Sequence, residues 1–178
     1  MVKNSMELYF LRHGKAVEPG TRGVPDDFSR RLTEQGIEEM EAEAAAMERL
    51  GVRTDAILTS PLLRAKETAE IVAKKLGLKK LLFISDLLGP GCDLSRLERL
   101  MNEHPASKSF MFVGHEPDLS SMVGELIGGN AGSVEFKKAG LVLVTVSHAA
   151  RRGSGTLRWL LPPRILRHCG GVMASNDE

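Results

Sequence analysis

Short apolar runs alternating with longer helix-periodic stretches constrain this chain more than any other feature, because few architectures accommodate that alternation. Residues 7–11 form an apolar run that stops at Arg12-His13-Gly14, a buried strand ending in a loop. Lys15 to Arg31 carries Pro19, Gly20, Gly23 and Pro25, has no period, and reads as a loop. Thr33 then opens a helix to about Leu50, with Ile37, Met40, Ala44 and Met47 at helical spacing and Gly51 beyond its end. Ala56 to Thr59 is the next strand. Ser60-Pro61 supplies a capping residue and a first-turn proline for a second helix, which ends at Gly77.

The pattern continues with a strand over Lys80–Ile84, a helix over Leu94–Asn102 and a strand over Phe110–Val113. That fourth strand meets Gly114-His115-Glu116-Pro117, after which helix propensity runs from Pro117 to Ile127. Leu141–Val146 and Thr156–Leu161, separated by AARRGSG, predict an antiparallel hairpin at the sheet edge. The whole predicts an α/β fold, a three-layer α/β/α sandwich whose central sheet is mostly parallel with an antiparallel edge strand. A length of 178 residues fits one domain, with a core over about 6–165 and a frayed polar tail over 170–178. Ligands in such folds gather at the carboxyl ends of the strands, where both Arg12-His13-Gly14 and Gly114-His115 fall.

Composition narrows the function classes. A net charge of +1 argues against a nucleic-acid-coating surface, so any affinity for phosphate must come from a local cluster. No apolar stretch approaches a membrane span, and the first ten residues lack the features of a secretory signal, which predicts a cytoplasmic protein. Cys92 and Cys169 have no metal-like spacing, and neither a metal site nor another cofactor is expected.

Three clusters carry possible chemistry. LRHGKA sets a guanidinium and an imidazole side by side on a loop where Gly14 lets the backbone approach a ligand; alone it is a weak signal, since a histidine after a strand is more often a hydrogen-bonding loop residue than a catalyst. In TSPLLRAKET, Arg64 opens a helix, where a cation opposes the macrodipole, so local stability does not explain it. Its plain alternative is a surface ion pair with Glu67 or Glu70. FVGHEPDLS places His115 at a helix N-terminus, where free N–H groups favour an anion.

LRHG, RRLTEQG, SPLLRAKETA and VGHEPDLS, in this order, resemble the histidine phosphatase (phosphoglycerate mutase-like) superfamily, and within it the short phosphohistidine phosphatase branch of the SixA type. The resemblance spans about residues 7–165. It implies that His13 is a nucleophile and that Arg12, Arg64 and His115 surround the phosphate. Elementary chemistry agrees: paired guanidinium hydrogen bonds orient a phosphoryl group, and neighbouring cations disfavour protonation of His13.

Ester-cleaving members of the family carry an acid after the third strand, and Asp86 is the nearest candidate, with a turn or cap role as its alternative. Glu116 is a second candidate acid, or a residue that lines the phosphate through its backbone and orients the His115 loop. The span from Ser85 to Asp93 is too short to roof the site, so a phosphorylated protein side chain could enter as readily as a small metabolite. Protein phosphohistidine is therefore the expected substrate, with inorganic phosphate as product. Hydrolysis of small phosphate esters, and noncatalytic phosphate binding, are the alternatives.

Overall fold

The computed structural model describes residues 5–147 and 149–169. The expected tail at 170–178, and His148, lie outside the described residues. Six strands form one sheet: β1 (Met6–Arg12), β2 (Ala56–Thr59), β3 (Leu82–Ile84), β4 (Ser109–Gly114), β5 (Leu141–Val146) and β6 (Gly155–Leu161). Their spatial order is β3-β2-β4-β1-β5-β6; the first four run parallel, while β5 is antiparallel to both β1 and β6. The helices are α1 (Glu34–Arg49), α2 (Leu63–Lys75), α3 (Leu94–Glu103), α4 (Asp118–Leu126) and α5 (Pro163–Cys169).

Alternation along β1 explains the layers. Leu8 and Phe10 join one cluster with Leu97 and Leu100 of α3 and Met122 and Val123 of α4; Tyr9 and Leu11 join another with Met40 and Met47 of α1 and Ala65 and Val72 of α2. Both faces of the central strands are covered, which is why β4 reads as an unbroken apolar run. Phe10 and Phe112 lie with ring centroids 5.6 Å apart. Burying such a side chain stabilises by about 1.5–3 kcal/mol, so packing reinforces the β1–β4 ladder.

The chain leaves β1 towards α1 on one face and leaves the adjacent β4 towards α4 on the other. Departure of neighbouring strands in opposite directions opens a crevice at their carboxyl ends. The register pairs Arg12 with Gly114, so the residues that follow, His13 and His115, emerge beside each other.

Several local expectations change. Ser60 does not cap α2, which starts at Leu63 with no side-chain cap; the loop carbonyl of Phe28 accepts the Leu63 N–H at 3.0 Å instead. The third strand is shorter than Lys80–Ile84, because Lys79–Leu81 is a 3-10 turn. The Lys15–Arg31 loop is closed at its base by an Ala16–Leu32 bridge and a Val17 N–H bond to the Arg31 carbonyl. Helix α5 was not foreseen; its Leu166 packs in the second cluster. Thr33 does accept the Gly36 N–H as cap of α1, and Gly51 and Gly77 take the left-handed conformation that ends α1 and α2.

Candidate active site

The crevice gathers the sequence-predicted cations and imidazoles. Arg12 and His13 come from the end of β1, Arg64 from the first turn of α2, and His115 from the end of β4. His13, Arg64 and His115 are buried, each with only 5–6% of its surface exposed. The two imidazole rings stand 5.2 Å apart between centroids, at 53°.

His13 is held in a defined tautomer. Its Nδ1 lies 2.8 Å from the Gly14 carbonyl, which can only accept, so Nδ1 carries the proton and Nε2 keeps a lone pair. Arg64 Nε donates to that Nε2 at 3.3 Å. The His13 N–H binds the Gly114 carbonyl, tying the two strand ends together. Burial, followed by the charges of His115, Arg64 and Arg12, lowers the His13 pKa to about 3. The same forces, burial first and then Arg64, bring His115 to about 4. Both rings are therefore neutral at physiological pH.

Neighbouring segments fix this arrangement. Gly14 donates its N–H to Thr68 Oγ1, whose hydroxyl binds the Arg64 carbonyl one turn earlier in α2. Thr33 donates its N–H to the Lys15 carbonyl, seating the start of α1 against the His13 loop. Glu67 accepts the Leu32 N–H at 2.6 Å, and Glu70 pairs with Lys66; neither binds Arg64, so the surface ion pair weighed for that arginine is not formed. Arg12 Nη1 donates to the Phe136 carbonyl, and the Ala139 N–H is shared between the Arg12 and His13 carbonyls. Ala139 adopts a φ of 63°, a left-handed conformation that an alanine seldom takes.

Two buried polar atoms of the crevice have no partner among the described residues: Arg12 Nε and His115 Nδ1. Ser60 Oγ accepts the Leu62 N–H and lies 2.8 Å from His115 Nε2, so its own proton is available to that nitrogen. Nδ1 then carries the ring proton as a free donor. Unpaired buried donors are costly, and an anion that accepts from them removes the cost.

Asp86 lies on the 3-10 turn after β3, exposed, and among the described residues it makes no side-chain hydrogen bond or ion pair with the four pocket residues. Its carbonyl accepts the Gly89 N–H, the turn role weighed as its alternative. The Glu116 carboxylate accepts the Ser120 N–H at 3.1 Å, which caps the first turn of α4. Asp27 was not singled out from the sequence, yet Arg64 donates Nη2 to its Oδ2 at 3.0 Å and Nη1 to its carbonyl at 2.7 Å. Its position in an aperiodic loop gave no signal. A groove of about 820 Å³ lies elsewhere, between α1 and α2 and lined by Ile37, Ile71 and Lys74; Arg12, His13, Arg64 and His115 do not line it.

The sequence profile of the histidine phosphatase superfamily (branch 1) matches residues 8–87. An uncharacterized protein of Picosynechococcus is 37% identical over an alignment of 172 positions that covers 88% of this chain and all of that protein. Phosphohistidine phosphatase SixA of Escherichia coli is 29% identical over 166 residues, 91% of this chain and 97% of SixA. The structure of the protein histidine phosphatase SixA complexed with tungstate superposes with a TM-score of 0.75 at 27% identity, covering 89% of this chain and 98% of that one.

Proposed function

Because the chain belongs to the histidine phosphatase superfamily and is a metal-independent phosphatase of its SixA-like group, we propose that it hydrolyses protein phosphohistidine through a phosphohistidine intermediate on His13. The observation that carries this reading is the pairing of a neutral, oriented His13 Nε2 with two buried, unpartnered donors in one crevice. Tungstate, the ligand of the related SixA structure, is a tetrahedral oxyanion of the phosphate class.

The proposed chemistry follows from the atoms present. A substrate phosphoryl group enters with its oxygens on Arg12 Nε, His115 Nδ1 and the Arg64 guanidinium, which moves its Nε–H from His13 to oxygen. His13 Nε2 attacks phosphorus as the bond to the leaving group breaks, and the guanidinium groups hold the charge that gathers on the equatorial oxygens. Nδ1–H stays on the Gly14 carbonyl, so the phosphorylated ring keeps its orientation. Water then attacks the phosphohistidine, releasing inorganic phosphate and regenerating neutral His13. Splitting hydrolysis in two lets each half use the same cationic cradle.

A phosphorylated protein side chain suits the short 85–93 span, which folds back onto α4: Asp118 Oδ2 accepts the N–H groups of Gly91 and Cys92, and among the described residues no α-helix is inserted in that span. Rapid acid and alkaline quenching of turnover with a labelled phosphohistidine peptide tests the reading. Acid-labile, base-stable label should appear on the wild-type protein and vanish in His13→Ala. Turnover that persists in His13→Ala without such label overturns it.

A further inference from the structure

Asp27 stands out because it is ionic, reachable and bonded to the pocket all at once. Its Oδ1 accepts from Arg30 Nη1 at 2.7 Å and its Oδ2 from Arg64 Nη2 at 3.0 Å. Arg30 is itself fixed by an Nε–H bond to the Val17 carbonyl. The Asp27 side chain is still 56% exposed, whereas that of Arg64 is 7% exposed. Among the described residues it is the one carboxylate hydrogen-bonded to any of Arg12, His13, Arg64 and His115. Nε and Nη2 share one edge of the Arg64 guanidinium, so the Asp27 carboxylate and the His13 nucleophile sit along the same edge, the carboxylate on the solvent side.

That placement meets a specific chemical need. A phosphorylated imidazole leaves well only when its distal nitrogen carries a proton: the breaking P–N bond then returns its electron pair to the ring, and neutral imidazole departs with that N–H intact. Without the proton the leaving group is an imidazolate anion. No proton has to come from the protein, but the protonated ring is a cation approaching a pocket rich in guanidinium groups, which lowers its pKa. An ionised acceptor at the mouth reverses this.

We propose that Asp27 accepts the distal N–H of the substrate's protonated imidazole and so selects a phosphorylated nitrogen base as leaving group, an inference that rests on the phosphohistidine reading above. Hydrogen bonds from Arg30 and Arg64 hold the Asp27 pKa below its ordinary value, with Arg30 the larger cause. Asp27 is thus suited to accept and unsuited to act as the acid that an alkoxide would need. The charged groups facing it are Arg30 and Asp26 on its own loop and Arg64 from α2, and the titratable His115, neutral at physiological pH, stands across the pocket.

The test compares Asp27→Asn with the wild type on a phosphohistidine peptide and on p-nitrophenyl phosphate, whose leaving group needs no proton. Loss of a charged hydrogen bond predicts that kcat/KM on the peptide falls about tenfold or more beyond any fall on the ester. The alkaline limb of the peptide profile should also move to lower pH, because the bound ring no longer keeps its proton as firmly. A proportional fall on both substrates with an unmoved limb overturns the inference and leaves Asp27 as a residue that only positions Arg64. Wild type that cleaves the ester but not the peptide refutes the phosphohistidine reading itself, and with it the role of Asp27.

Discussion

Gly36→Ala should separate activity from stability at the seat of the proposed nucleophile, His13. A methyl group built on Gly36 lies 2.1 Å from the Lys15 carbonyl oxygen. A close C···O contact is about 3.3 Å, so the backbones must part by about 1.2 Å. The carbonyl cannot swing aside, since it accepts the Thr33 N–H at 3.0 Å, and Lys15 is two residues from His13. Alanine gains at most about 1 kcal/mol of helix propensity over glycine, while overpacking costs about 1–3 kcal/mol. The net change thus runs from none to a loss of about 3 kcal/mol, a fall in Tm of up to about 12 °C. Displacing a reacting group by about 1 Å costs roughly a hundredfold in rate. Turnover of p-nitrophenyl phosphate should therefore drop about a hundredfold in a protein that still melts cooperatively. Wild-type kcat together with a raised Tm would show that propensity wins and that the start of α1 does not fix the His13 loop.

Two further changes probe other groups. Glu43 is fully buried, with Oε1 on Arg167 at 2.7 Å and Oε2 unpartnered, and burial outweighs Arg167 to raise its pKa to about 8. The folded state then binds more protons than the unfolded one between the ordinary value of 4.5 and about 8, so stability falls as pH rises through that window. Glu43→Gln should flatten this decline in melts run across it, and an unchanged slope would refute the assignment. Asp86→Asn should change peptide turnover by less than about threefold, whereas a loss of about a hundredfold or more would make Asp86 the general acid.

The strand and helix alternation was legible because each period is written in the residues that face the core. The His13 and His115 positions followed from their place after strands, and the register of β1 on β4 brings them together. What stayed hidden depends on long-range geometry. Asp27 meets Arg64 across 37 positions, and Phe136 meets Arg12 across 124. Neither contact leaves a local pattern. Ser60 looked like a helix cap because Ser-Pro before a helix has that local logic; tertiary demand from His115 drew its hydroxyl away, and the Phe28 carbonyl took over the helix end. RRLTEQG was readable as a capped helix entry, but the reason for its glycine, contact with Lys15, required the fold.

The electrostatics of the crevice also bear on its pH dependence. A nucleophilic imidazole must be unprotonated, and burial with adjacent cations holds His13 near 3, far below working pH. Titration of His13 therefore cannot produce a decline in rate between neutrality and about pH 5. His115, brought to about 4 by burial and Arg64, responds in the opposite sense when a phosphoryl dianion arrives, because the dianion raises its pKa and draws a proton onto the ring. In the proposed mechanism the guanidinium groups add to burial in keeping the His13 ring neutral before binding, and they stabilise the phosphoryl oxygens after it. The dianion brings acceptors to Arg12 Nε and His115 Nδ1, which Asp27 does not reach, and this gives it an advantage there over neutral ligands of the same shape.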